Sequence, residues 1–230
     1  MLNINRNTKG QAGFTLIEAM IGLALSMIVV TSMVGLMSSS LGSASKIIQM
    51  TQLSDDLRNT MSMVTRDMRR ANYNANAYKC YANSDCGVDG TTNQNGVVTV
   101  DGDCLLFNID RDQDGDGSTD GAGGFRRVED GNEVGFIEMW VGVAADTPTC
   151  GDHDAWFALT DPDFVDITLF DIDDSASING SIIEQGGGTL NQTTRQVTVQ
   201  LTGELLLDSN ITRSLVDTIK VRNDYIWRSP

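Results

Sequence analysis

Proline is nearly missing from this chain: there are three in 230 residues, and the first is Pro148. Proline inside a helix removes a backbone hydrogen bond and clashes with the preceding turn, so nothing ahead of Pro148 forces a long helix to kink or stop. Histidine occurs once, as His153 within Asp152-His-Asp154, and reads as a loop residue rather than a ligand or catalytic base. The four cysteines contain no Cys-x-x-Cys spacing, which removes support for a thioredoxin-type redox site or a zinc ribbon. No nucleotide loop, nucleophile elbow, metalloprotease helix or paired-carboxylate cleft can be found, so the chain is not expected to be an enzyme. Positive charge is scarce too. With 16 basic against 31 acidic residues the net charge is -15, which argues against unaided binding of nucleic acid or an anionic membrane surface.

What is present is a long apolar run. From Phe14 to Met37 the only charged residue is Glu18, and Lys46 is the next charge along the chain. Roughly 20 such residues span a bilayer as a helix. An ordinary secretory signal carries a shorter apolar stretch of about 7 to 15 residues with its cleavage site behind it. Here the basic stretch Lys9-Gly-Gln-Ala-Gly13 runs straight into Phe14-Thr-Leu-Ile-Glu18, in front of the apolar run. Removal of the whole segment near Gly42-Ser-Ala-Ser45 is the competing reading, and the length of the run speaks against it. Arg6 and Lys9 precede the span and no basic residue follows until Lys46, so the amino terminus is expected on the cytoplasmic side and the rest in the periplasm. An ionised carboxylate at a helix centre in hydrocarbon costs about 2.5 to 3.5 kcal/mol, so Glu18 is expected to need a cation, the alternative being a place close enough to the helix end to reach interfacial water. Nothing in Thr15 to Ser45 supplies a cation.

Residues 9 to 18, backed by the apolar run, resemble the processing signal of type IV prepilins. The resemblance implies that a dedicated prepilin peptidase cuts after Gly13 and methylates the amine of Phe14. Glu18 then becomes the fifth residue of the mature chain, paired with the Phe14 amine of a neighbouring subunit. Loss of Arg6 and Lys9 with the leader lowers the basic count from 16 to 14 against 31 acidic and takes the charge from -15 to -17. The implied fold class is α+β, with a long N-terminal helix, transmembrane in its first half, packed on an antiparallel β-sheet. Leu57-Arg58, Val64-Thr-Arg-Asp-Met-Arg-Arg-Ala-Asn-Tyr73 and Ile219-Lys-Val-Arg-Asn223 further resemble the PilW family of minor pilins, while the middle of the chain is unmatched. That likeness implies a subunit priming type IV pilus assembly at or near the tip, with other minor pilins and the major pilin as partners. It would sit in the inner membrane before reaching the pilus and cell surface. The alternatives are a J-type pseudopilin of a type II secretion system, and a calcium-dependent adhesin on a pilin anchor. An adhesin would need an exposed aromatic patch, for which Trp140, Trp156 and Trp227 are the available tryptophans.

Four segments are expected: a cleaved leader over 1–13, a transmembrane and filament-core helix over 14–37, its amphipathic continuation over 38–72, and a β-rich globular domain over 73–230. Leu53, Leu57, Met61, Val64, Met68 and Ala71 recur in steps of three and four, which places them on one helix face. Gly35 and the Gly42 region are the soft points of this helix. Beyond Tyr73, short alternating runs predict strands over 96–100, 104–109, 125–128, 134–143, 155–159, 165–172, 196–207 and 211–222. The last two form a hairpin turned by Asp208-Ser-Asn210, and Ser175 to Thr194, with Gly186-Gly-Gly188, is expected to be mobile.

Four cysteines permit three pairings in an oxidising compartment, and Cys80 with Cys86 plus Cys104 with Cys150 is favoured. Between two expected strands, Asp110 to Asp120 carries five aspartates against Arg111. Starting the register at Asp112 puts Asp112, Asp114 and Asp116 at alternate positions, Gly117 at the sixth and Asp120 at the ninth, the alternation a calcium loop needs. The bidentate glutamate of an EF-hand is missing, since Gly123 stands at position twelve. With Asp110 as a further candidate, weak calcium binding is expected over a solvated acidic loop.

Overall fold

The computed structural model describes residues 13–73, 99–109, 123–141, 149–151, 154–183 and 188–229. The chain divides into two units after Ile48, inside its first helix. That helix, α1, spans Leu16–Arg70 and runs through Gly35 and Gly42 without a break. In the second unit Leu53, Leu57, Met61, Val64, Met68 and the adjoining Ala71 are all buried, while Asp55, Arg58, Arg66, Arg69 and Arg70 are exposed. Spacing by three and four residues thus turned one apolar stripe inward.

The strands are β1 (Thr99–Asp101), β2 (Cys104–Phe107), β3 (Gly123–Glu129), β4 (Gly135–Trp140), β5 (Trp156–Ala158) and β6 (Val165–Asp173). They continue with β7 (Ile178–Ile183), β8 (Thr189–Thr194), β9 (Gln196–Leu205), β10 (Asp208–Lys220) and β11 (Tyr225–Ser229). They form a five-stranded sheet in the order β1-β2-β3-β4-β5 and two three-stranded sheets, β10-β9-β6 and β11-β8-β7. All these pairings are antiparallel. The architecture is α+β.

The second half of α1 shares one apolar core with Leu105 and Phe107 of β2, Phe125 of β3, Ile137 of β4, Val165, Ile167 and Phe170 of β6, and the inward residues of β9. Strand β9 alternates strictly, with Val197, Val199, Leu201, Gly203 and Leu205 inward. At Gly203 helix and sheet approach closely: a Cβ there would lie 3.2 Å from Leu57 Cδ2, Ile167 Cδ1 and Val165 Cγ1. The five-stranded sheet and the β10-β9-β6 sheet are tied where the Gly135 N–H donates to Asp166 at 2.8 Å and Arg127 Nε donates to the Ile167 carbonyl.

The helix ends at Arg70, two residues short of the expected 72, for a local reason. Asn72 takes a left-handed φ of 62°, which asparagine tolerates better than most residues, and its N–H donates to the Asn108 carbonyl at 3.0 Å. The last-turn carbonyls of Arg69, Arg70 and Ala71 accept from the Arg222 N–H and the Asn223 side-chain amide, that of Arg70 accepting from the Tyr73 N–H as well.

Two sequence expectations are corrected here. Ser175 to Thr194, expected as a mobile loop, supplies β7 and β8; of its glycine run only Gly188 is among the described residues. β7 and β8 pair with each other, and β8 is also held by a strand distant in sequence, pairing with β11 from Tyr225↔Thr193 to Ser229↔Thr189. Their side chains add cross-strand bonds such as Thr193 Oγ1 to Asn179 at 2.7 Å. The β9–β10 hairpin also turns at Leu206-Leu207, with Leu205 opposite Asp208, rather than at Asp208-Ser-Asn210. The polar triplet lies instead at the register shift between Asp208 and Thr212, an irregularity that absorbs the extra residues.

Candidate functional site

Gly13, Phe14 and Thr15 precede α1 and are exposed and non-helical, and a Cβ on Gly13 would meet nothing within 4 Å. Among the described residues nothing packs over the Gly13–Phe14 bond. Thr15 caps the helix: its side-chain oxygen accepts the Glu18 N–H at 3.4 Å, and its carbonyl accepts those of Glu18 and Ala19 at 3.1 and 3.2 Å. Thr15-x-x-Glu18 before an apolar run is the sequence pattern of a capping box, a signal passed over in reading the segment as a processing motif. Because the cap lies after Gly13, the helix start does not depend on the leader. Glu18 occupies the first turn, at the positive end of the helix dipole.

Every large apolar side chain from Phe14 to Ile48 is more than half exposed, and Phe14 reaches 82 %. Burying one such side chain is worth about 1.5–3 kcal/mol, so the segment as a whole stands to gain on the order of tens of kcal/mol from lipid or other helices. Several of its hydroxyls are satisfied within the helix. Ser26, Thr31 and Ser32 donate to the carbonyls of Leu23, Met27 and Ile28 at 2.7–2.8 Å. The Glu18 carboxylate differs: among the described residues it has no ion pair and accepts no hydrogen bond. An acid without an ion pair on an apolar rod calls for a cation once the rod is buried.

The remaining candidate residues fall in the second unit. Cys104 and Cys150 are bonded, with Cα atoms 5.9 Å apart and a sequence separation of 46. Around them lies a second apolar cluster of Leu106, Trp140, Ala155 and Trp156, the two indoles meeting edge to face at 5.3 Å. Arg126 stands 4.7 Å over Trp156, pairs with Glu138 at 2.7 Å, and donates to the carbonyls of Cys150 and Gly151. Trp140 and Trp156 are thus core residues, and the Trp227 side chain lies outside the described residues, as do Cys80, Cys86, His153 and the candidate ligands Asp110, Asp112, Asp114, Asp116 and Asp120. Among the described residues no group of three or more histidines, cysteines or acids is placed to hold a metal.

Comparison with known families agrees with the amino-terminal geometry. The prokaryotic N-terminal methylation motif matches residues 8–34, bracketing the Gly13–Phe14 bond and Glu18. The family described as prepilin peptidase-dependent protein B matches residues 46–221, which covers the second half of α1 and most of the sheet unit. No curated protein and no solved structure matches the chain. Together the two family matches make it a pilin-like protein of the type IV superfamily, processed by prepilin peptidase. With more than half its length matched, the chain belongs to the prepilin peptidase-dependent protein B family.

Proposed function

We propose that this chain is a minor pilin that joins other minor pilins in a complex priming type IV pilus assembly at or near the filament tip, and that it is a structural subunit rather than an enzyme. The observation that supports this reading best is the pairing of an uncovered apolar rod with one unsatisfied carboxylate, Glu18. Leader removal frees the Phe14 amine, and methylation leaves it charged. The rod moves from the inner membrane into a bundle of like helices, and Glu18 meets a neighbour's terminal amine, which fixes the axial register. The sheet unit then lies on the exported side, where the Cys104–Cys150 bond is stable.

Replacing Glu18 by Ala tests it. The variant should be processed and should insert in the membrane, yet fail to be incorporated, with surface pili reduced several-fold. Normal piliation would overturn the assembly role of the carboxylate. Deletion of the gene, scored for surface pili against secreted enzymes, separates the pilus reading from a J-type pseudopilin: loss of secretion with pili intact would favour the latter. Weak calcium binding by Asp110 to Asp120 is part of the proposal on sequence grounds. Calorimetry of the full chain in detergent should give a calcium signal that an Asp112→Ala, Asp114→Ala double variant loses.

A further inference from the structure

The strongest concentration of positive charge among the described residues lies in a groove of about 610 Å³ between the second half of α1 and strand β10. Arg58, Arg66, Arg69, Arg70 and Arg222 line it, five of the chain's 16 basic residues around a single acid, Asp217. That acid is engaged by the Thr65 hydroxyl at 3.1 Å. Arg69 and Arg70 complement the negative end of the α1 dipole, and Arg66 meets the neighbouring Asp67 at 3.1 Å. No such role accounts for Arg58 or Arg222, whose guanidinium groups meet no carboxylate among the described residues. The floor is apolar, made by Met61 and Leu215, with Val216 exposed at the side.

The opposite wall is an open sheet edge. Among the described residues β10 is the outermost strand of its sheet, paired with β9 from Thr212↔Glu204 to Lys220↔Gln196, and no described strand pairs with its other edge. A row of free backbone donors and acceptors beside an arginine-bearing helix suits an extended acidic chain, which can add to the sheet while turning alternate side chains toward the guanidinium groups. Arg58 and Arg70 are about 18 Å apart along the helix at 1.5 Å per residue, room for about five or six extended residues at 3.3 Å each.

We propose that this groove docks an extended segment of a different protein, with acidic side chains alternating with small apolar ones, by strand addition to β10. The net charge of -15 favours this occupant over the others. A second copy, a nucleic acid and an anionic bilayer all bring large negative fields that the chain as a whole repels, whereas a short acidic segment on a partner of modest net charge is repelled far less. The inference uses the groove alone and stands apart from the filament reading.

The test uses the full chain in detergent and a labelled octapeptide of alternating glutamate and valine, followed by fluorescence anisotropy. Saturable binding is expected, weakening with salt and falling at least tenfold in an Arg58→Glu, Arg66→Glu variant. An Arg58→Gln, Arg66→Gln variant, with unchanged thermal unfolding, should fall in the same direction and guards against misfolding of the first. A proline-interrupted peptide of equal charge should bind at least tenfold more weakly, because it cannot pair along β10. No saturable binding, or binding unchanged in both variants, would overturn the proposal. Equal binding of the proline peptide would remove strand addition, tighter binding of a duplex oligonucleotide would make the groove a polyanion site, and self-association lost in the variants would make a second copy the occupant.

Discussion

Asp56 shows how much a single exposed helix face can be set by its neighbours. Partial burial, then the negative charges of Asp161 and Asp55, push its carboxyl above the ordinary value of 3.8. The folded chain therefore keeps that proton to higher pH than the unfolded chain, so stability is fully present below the ordinary value and declines as pH rises through the raised one. Asp56→Asn should raise the melting temperature at pH 7 and lose that advantage as pH is taken below about 3.8; equal gains at both pH values would contradict this. Asp130 is the reverse case, held below the ordinary carboxylate range by the N–H groups of Val134 and Asn132. Its contribution is present above the ordinary value and disappears as pH falls through the lowered one, so Asp130→Ala should destabilise at neutral pH and converge with the parent in acid. At Gly203 the constraint is steric, because Leu57, Ile167 and Val165 already crowd the place a Cβ would take. Gly203→Val should cost about 1–3 kcal/mol in denaturant unfolding, and an unchanged midpoint would show that the helix can withdraw.

Among the elements, the Cys104–Cys150 bond closes a loop that contains β2 to β4, with a separation of 46 residues. Removing both sulfurs, as Cys104→Ser with Cys150→Ser, should cost about 2–5 kcal/mol of stability, read from denaturant midpoints with and without reductant. If the variant and the oxidised parent unfold together, the packing of Trp140, Trp156 and Arg126 is enough by itself. The inward face of α1 from Leu53 to Ala71 could be read from the sequence because a helix imposes its own period, whatever it packs against. Strands β7, β8 and β11 could not. The residues of β8, Thr189 to Thr194, are mostly polar and only half-buried, and its pairing with β11 joins it to residues far along the chain, while β7 leaves Ile178, Ile182 and Ile183 exposed and is ordered by pairing with β8. The β9–β10 turn was misplaced for a related reason. Asp208-Ser-Asn210 has turn chemistry, but the inward alternation of β9 carries through Leu205 and leaves Leu206 and Leu207 to make the bend. In the candidate site, Gly13, Phe14 and Glu18 were legible as a motif, whereas the groove between α1 and β10 was not, since it joins arginines of the helix to Arg222 and strand residues only through the tertiary fold.

At the scale of the molecule, two units with opposite solvent preferences share one helix. The first, to Ile48, exposes every large apolar side chain it has from Phe14 onward, while the second, from Gln49, encloses a sheet-and-helix core in a chain of net charge -15. The proposed filament subunit, which keeps its rod after processing, accounts for that combination: Thr15 caps the helix behind the expected cleavage site, Glu18 has no ion pair among the described residues, and the hydroxyls of Ser26, Thr31 and Ser32 bond back to the helix. Intact-mass measurement with amino-terminal sequencing of the exported protein tests this most directly. The mature chain should begin at an N-methylated Phe14 and carry the whole of α1, and a chain beginning near Ser45, or still at Met1, would contradict it.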